Sequence, residues 1–219
     1  MTKQEKALLI AEELQKRYPE TKTFLHFSTD WQLLFAIILS AQATDISVNQ
    51  ATEILFSRLP ELKDYNEENR ETIHECIKKV GLGKSKTEYL IETANELLNK
   101  YDGKVPTDRK KLMKLSGVGF KTSGVFLGEF YNIPFIPVDT HVYRVTHRLG
   151  LVKDDLTADE TEIALEKLYK SKASIHLHRQ LILFGRNVCF AKSPLCSQCP
   201  FASFCKYQNN KKASYGVYR

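Results

Sequence analysis

Apolar residues recur at three- and four-residue intervals along nearly the whole chain, the spacing of one helix face, and no alternating stretch of useful length predicts a strand. Ala7, Ile10, Ala11, Leu14 and Tyr18 trace the first such face. Thr2 with Glu5 has the form of a capping box ahead of it, and Pro19 closes it. Asp30 is placed to cap a second helix, Trp31 to about Ala41, that is apolar almost all round and so reads as central and buried. A polar stretch, Gln42 to Ser47, leads into a helix ending near Leu59.

Helical patterns continue over about 70–80 and 86–101, broken by Gly81-Leu82-Gly83. Leu90, Ala94, Leu97 and Tyr101 share a face of the latter; Asp102-Gly103 ends it and Pro106 prevents its continuation. Residues 108–115 predict a short helix running into Gly117-Val118-Gly119, and residues 120–131 predict a helix leaving it. Pro134 and Pro137 mark an irregular crossing. Asp139 then caps a helix to Leu149 with Val142, Val145 and Leu149 inward. Two further helices, about 158–169 and 175–188, precede a loop rich in cysteine, and the tail from Lys206 is polar and predicted to fray. No repeat implies a solenoid.

Two features change this all-helical picture. The first is the hairpin. Glycines tolerate positive φ and let another backbone approach, and the unpaired N–H groups opening the next helix suit a phosphate oxygen. Gly-x-Gly alone is more often a plain helix–helix turn, with Val118 packed back between the helices. Lys121, two positions beyond Gly119, alters the reading. An amine nucleophile must lose its proton, and a position in the first turn of a helix, with partial burial, works against the ammonium. Asp139 has the reverse logic: a capping carboxylate stays ionised and can assist a nucleophile or balance positive charge on a sugar ring.

The second is Cys189, Cys196, Cys199 and Cys205, spaced C-x6-C-x2-C-x5-C. In a reducing compartment four close thiols point to metal rather than disulfides. Structural zinc favours two short Cys pairs, and only Cys196–Cys199 is one, so the spacing favours an iron–sulfur cluster with zinc as the alternative. Lys192 lies in the first loop of this cluster and could present a cation to phosphate; Cys76, mid-helix and alone, reads as a small core residue.

The formal net charge of +6 is compatible with a polyanionic partner. The most apolar run, Leu33 to Leu39, is far short of the ~20 residues a bilayer needs. Glu5, Glu12 and Glu13 make the N-terminus unlike a secretory signal, so a cytoplasmic protein is expected.

Taken together, Leu115-Ser116-Gly117-Val118-Gly119-Phe120-Lys121-Thr122, Val138-Asp139-Thr140-His141 and the cysteine spacing resemble the endonuclease III family of DNA glycosylases. Leu39 to Asp45, Leu-Ser-Ala-Gln-Ala-Thr-Asp, is similar to that family's DNA-inserting loop. The resemblance covers nearly the whole chain. It implies an all-α, two-domain helix-hairpin-helix DNA glycosylase fold: a six-helix bundle over about 24–133, and a discontinuous iron–sulfur domain of 1–23 plus 134–219 holding a [4Fe-4S] cluster. It implies Lys121 as nucleophile and Asp139 as catalytic aspartate. Gln42 would fill the space of a flipped nucleotide and Leu82 would wedge the opposite strand, while Gly117, Val118, Gly119 and Lys192 would meet the backbone.

The implied partner is double-stranded DNA carrying damaged bases or abasic sites, bound by a monomer. The implied reaction is excision of oxidised pyrimidines followed by β-elimination. The chain departs from the family pattern at Ser116, where Pro is common, and at Phe120, where Arg is common. A mismatch-specific sister enzyme usually lacks the lysine; a non-catalytic DNA-binding metal module would leave the Lys121–Asp139 pair accidental.

Overall fold

The structure is a computed structural model that describes residues 1–210. Among these residues it is helical throughout, with no strand. It divides into two compact units: Thr23–Tyr131, and Met1–Lys22 together with Asn132–Arg219.

The continuous unit holds six α-helices: α2 (Asp30–Ser40), α3 (Asp45–Arg58), α4 (Arg70–Ile77), α5 (Gly83–Lys100), α6 (Arg109–Leu112) and α7 (Phe120–Tyr131). Helix α2 is its axis. Every residue from Leu33 to Leu39 is buried, as its all-round apolar pattern requires, and α3, α5 and α7 pack around it. Trp31 and Phe35 join Phe56 and Tyr65 in an edge-to-face cluster with centroids 4.9–5.7 Å apart, and the Tyr65 hydroxyl donates to Leu59 O. Cys76 is buried here, as its mid-helix position suggested.

The other unit contains α1 (Lys3–Arg17), α8 (Thr140–Leu149), α9 (Ala158–Tyr169) and α10 (Ile175–Asn187). Ala7, Ile10 and Leu14 of α1 are buried, and α1 packs on α9 and α10. The Thr2–Glu5 capping box forms as expected. Gln180 of α10 ties to the end of α1 by donating to Tyr18 O at 2.9 Å.

Several boundaries differ from the sequence expectation for identifiable reasons. Thr29, not Asp30, caps α2; Asp30 is drawn inward because its Oδ2 accepts the N–H of Val105 at 2.9 Å. Helix α3 starts within the polar stretch, since Thr44 Oγ1 accepts the N–H of Ser47. The segment 78–80 tightens into a 3-10 turn, and α5 begins at Gly83, before Lys86. The short helix before the hairpin is a single turn, Arg109–Leu112, capped by Asp108. Residues 206–210 are helical rather than frayed; the rest of the expected tail lies outside the described residues. No helix among the described residues is long and apolar enough to cross a membrane.

Candidate active site

In the continuous unit, α6 and α7 form the glycine hairpin. Gly117 has φ +75°, and a Cβ there would fall 2.9 Å from Tyr89 Cδ2 and 3.1 Å from Ile38 Cγ2, so backbone and packing both demand glycine. Gly119 is the opposite case: no atom lies within 4 Å of its Cβ position, which leaves its backbone open on the outside. Val118 is buried beneath the turn, and its N–H donates to Leu115 O. The first N–H groups of α7 have no carbonyl one turn earlier within the helix.

The two departures from the family motif are both integrated. Ser116 Oγ hydrogen-bonds Glu92, and its carbonyl accepts from Thr93 Oγ1 at 2.9 Å. The Arg109 guanidinium lies 3.6 Å above the Phe120 ring and donates to Phe120 O at 2.7 Å and to Ser123 Oγ at 3.2 Å. A cation therefore stands at the hairpin from α6, beside the aromatic residue.

Lys121 occupies the first turn of α7 and is exposed. The partial burial expected for it is not provided by the chain: the buried residues of α7 begin at Ser123. Gln42 and Leu82 are both exposed and both take left-handed backbone, φ +55° and +54°. Such conformations are uncommon for residues with a Cβ and concentrate at functional loops. The two loops are neighbours: the Cβ direction at Gly81 points to Gln42 O at 4.0 Å.

In the other unit, Asp139 caps α8. Its Oδ1 accepts the N–H groups of His141 (2.9 Å) and Val142 (2.7 Å), and its Oδ2 lies 3.1 Å from His141 Nδ1. Burial opposes the charged form, yet the Val142 N–H, the His178 imidazole and His141 together hold the carboxyl below the ordinary aspartate range. His178 is fixed in turn by its Nδ1–H, which donates to Pro137 O at 2.6 Å.

The cysteine loop follows α10 in the same unit. Cys189, Cys196, Cys199 and Cys205 are free thiols, with Cys205 buried. Burial pushes the Cys199 thiol up to about 11, and the neighbouring Cys205, Cys189 and Cys196 add to this. Cys205 is pushed up by burial as well, and a bound metal centre, by its positive charge, favours the thiolate form that burial opposes. Only Cys196 and Cys199 form the short pair that structural zinc favours. The donor set fits a cluster that brings its own sulfide. Phe201 anchors the loop against Phe184 of α10 at 5.2 Å. Lys192 is exposed on the first loop.

Sequence reasoning missed the residues that hold this loop. Arg144 donates to the carbonyls of Cys189 and Gly185, and Arg148 donates to those of Phe190 and Ala191. Arg148 also reaches Cys189 Sγ at 3.5 Å. The available signal was an i, i+4 arginine pair on the helix that Asp139 caps.

Residues 35–171 match the family model of the HhH-GPD superfamily base excision DNA repair proteins, and residues 189–205 match the iron-sulfur binding domain of endonuclease III. Endonuclease III of Rickettsia conorii is 42% identical over 203 residues, covering 93% of this chain and 96% of its own. The chain belongs to the endonuclease III family. Endonuclease III of Escherichia coli K12 is 38% identical with the same coverage. Among solved structures, a trapped endonuclease III–DNA covalent intermediate superposes with a TM-score of 0.90 at 37% identity, covering 97% of this chain and 99% of that one. Membership makes this chain a base-excision DNA glycosylase and AP lyase, and a [4Fe-4S] cluster its cofactor.

Proposed function

We propose that the glycosylase and lyase steps run through Lys121, with Asp139 assisting. The observation that carries this is the exposed amine in the first turn of α7, directly beyond an outward-facing backbone at Gly119. A hairpin that grips phosphate through its N–H groups sets the following lysine against the adjoining sugar. The damaged nucleotide is first extruded from the duplex, which costs least where stacking is already poor. The Lys121 amine attacks C1′, the glycosidic bond breaks, and the base leaves with the bonding electrons and takes up a proton. The resulting Schiff base acidifies the 2′ proton; its removal expels the 3′ phosphate oxygen and cuts the strand by β-elimination. The Asp139 carboxylate, kept ionised by its cap bonds, either accepts the amine proton or balances charge on the sugar.

Gln42 and Leu82 enter the duplex, Gly117, Val118 and Gly119 place the backbone, and Lys192 meets phosphate. Domain roles follow: the six-helix unit grips DNA, and the discontinuous unit carries Asp139 and the cluster. Cys189, Cys196, Cys199 and Cys205 would hold the cluster, which when bound cross-links the loops that present Lys192. The preferred substrates are oxidised or ring-saturated pyrimidines such as thymine glycol in double-stranded DNA, the enzyme acts as a monomer, and its setting is the cytoplasm.

The test is trapping with borohydride on abasic-site DNA. Wild-type protein should form a covalent adduct that Lys121→Ala abolishes while still binding DNA. A folded, DNA-binding wild type that gives no adduct would sink the assignment.

A further inference from the structure

Lys86 is among the largest fully buried side chains, 2% exposed, and among the described residues no carboxylate pairs with it. Its ammonium donates to three carbonyls: Leu39 O at 2.7 Å, Ala41 O at 2.7 Å and Val80 O at 3.0 Å. A buried charge is costly unless its donors are filled, and an ammonium has three. All three are filled here by carbonyls of a particular kind. Leu39 and Ala41 belong to the last turn and cap of α2, and Val80 ends the 3-10 turn 78–80. These are orphan acceptors at the negative ends of two helical segments, so one cation caps both.

Each capped segment runs straight into one exposed left-handed residue. Ala41 precedes Gln42, and Val80 precedes Gly81 and Leu82. The backbone N–H of Lys86 donates to Leu82 O at 3.0 Å, the first-turn bond of α5. Left-handed backbone at two non-glycine positions persists only where the surroundings over-determine it. The Lys86 tripod supplies that constraint from a single point.

We infer that Lys86 is a positioning residue which locks the Gln42 and Leu82 loops to each other, so that the two side chains enter the duplex as one rigid unit. The inference rests on the reading of Gln42 and Leu82 as the inserting residues. Its consequence is specific: losing the tripod should impair extrusion of a nucleotide from a paired stack and spare the chemistry on a nucleotide already out of it.

The experiment measures single-turnover excision by the holoenzyme from two duplexes, one with thymine glycol paired to adenine and one with the same lesion in a bulge. Lys86→Met keeps the length of the side chain and removes its donors. It should slow excision from the paired duplex by roughly tenfold or more and leave the bulged one within about twofold. In a Gln42→Ala/Leu82→Ala background, Lys86→Met should add no further selective loss. Equal slowing on both duplexes, no slowing, or full additivity in that background overturns the inference. If the Gln42→Ala/Leu82→Ala protein itself treats both duplexes like wild type, it is the assignment of those two loops that fails. Should Lys86→Met not fold, as read by its circular dichroism melt, Lys86→Arg retains the charge without the tripod geometry and faces the same criterion: selective loss on the paired duplex supports the inference, equal or absent loss overturns it.

Discussion

Asp139 holds two roles that substitution can separate. As a cap it accepts two N–H groups of α8, which asparagine can also do; as a charge it is irreplaceable by an amide. Asp139→Asn should stay folded within about 1 kcal/mol yet lose roughly 100-fold or more in excision rate, whereas Asp139→Ala should also lose about 0.5–2 kcal/mol of stability. Because its carboxyl is held below the unfolded value of 3.8, the charged cap stabilises the protein above that pH and its contribution is lost as pH falls through the lower folded value. Melting temperatures of the Asn variant should therefore flatten along the acid limb, where wild type falls. Arg109 makes a second residue-scale case. Arg109→Ala removes the stack on Phe120 and the bonds to Phe120 O and Ser123 Oγ. A cost of about 1–3 kcal/mol in denaturant titration and weaker binding to abasic DNA are expected together.

At the scale of elements, α8 joins the proposed catalytic aspartate to the cysteine loop. Asp139 stands at its start, and Arg144 and Arg148 one turn apart hold the carbonyls of the chain after α10. Arg148→Ala should leave far-ultraviolet circular dichroism unchanged while visible absorption of the cluster bleaches roughly 10-fold faster under a chelator, the size usual for loss of an outer-shell partner. Bleaching at the wild-type rate would show that the Arg148 contacts do not hold the loop. The helices themselves were readable from apolar spacing, and α2 in particular from its unbroken apolar run. Their ends were not. Asp30 looked like the cap of α2, but a distant N–H at Val105 claims its Oδ2, and Thr29 caps instead. A cap is chosen by competition among acceptors, and competitors far along the chain are invisible to local pattern.

For the whole molecule, the excess of +6 predicts that DNA binding releases counterions, with the exposed Lys121 and Lys192 among the proposed contacts. If about six phosphates are neutralised, affinity should fall about a thousandfold between 50 and 200 mM salt. Lys192→Ala should lower that salt slope by about 1 and weaken binding evenly across sequences, read by anisotropy on undamaged and abasic duplexes. An unchanged slope would remove Lys192 from the phosphate contacts.

By itself the sequence determined the helical class, the hairpin, the lysine two positions past it, the capping aspartate and the four thiols. Each of these is a short-range pattern: helical period, a turn that needs glycine, a cap, a ligand spacing. Tertiary structure alone decided what surrounds them. Lys86 meets Leu39 O and Ala41 O across 47 and 45 positions of chain, Arg148 meets the Cys189 loop across more than 40, and Arg109 reaches Phe120 over the hairpin. For Lys86 the pairing exists because packing buries its charge beside backbone carbonyls that helix ends leave unpaired, and the cost of leaving either one dry makes the contact obligatory. That cost depends on which ends the fold brings together, and no local stretch of residues encodes it.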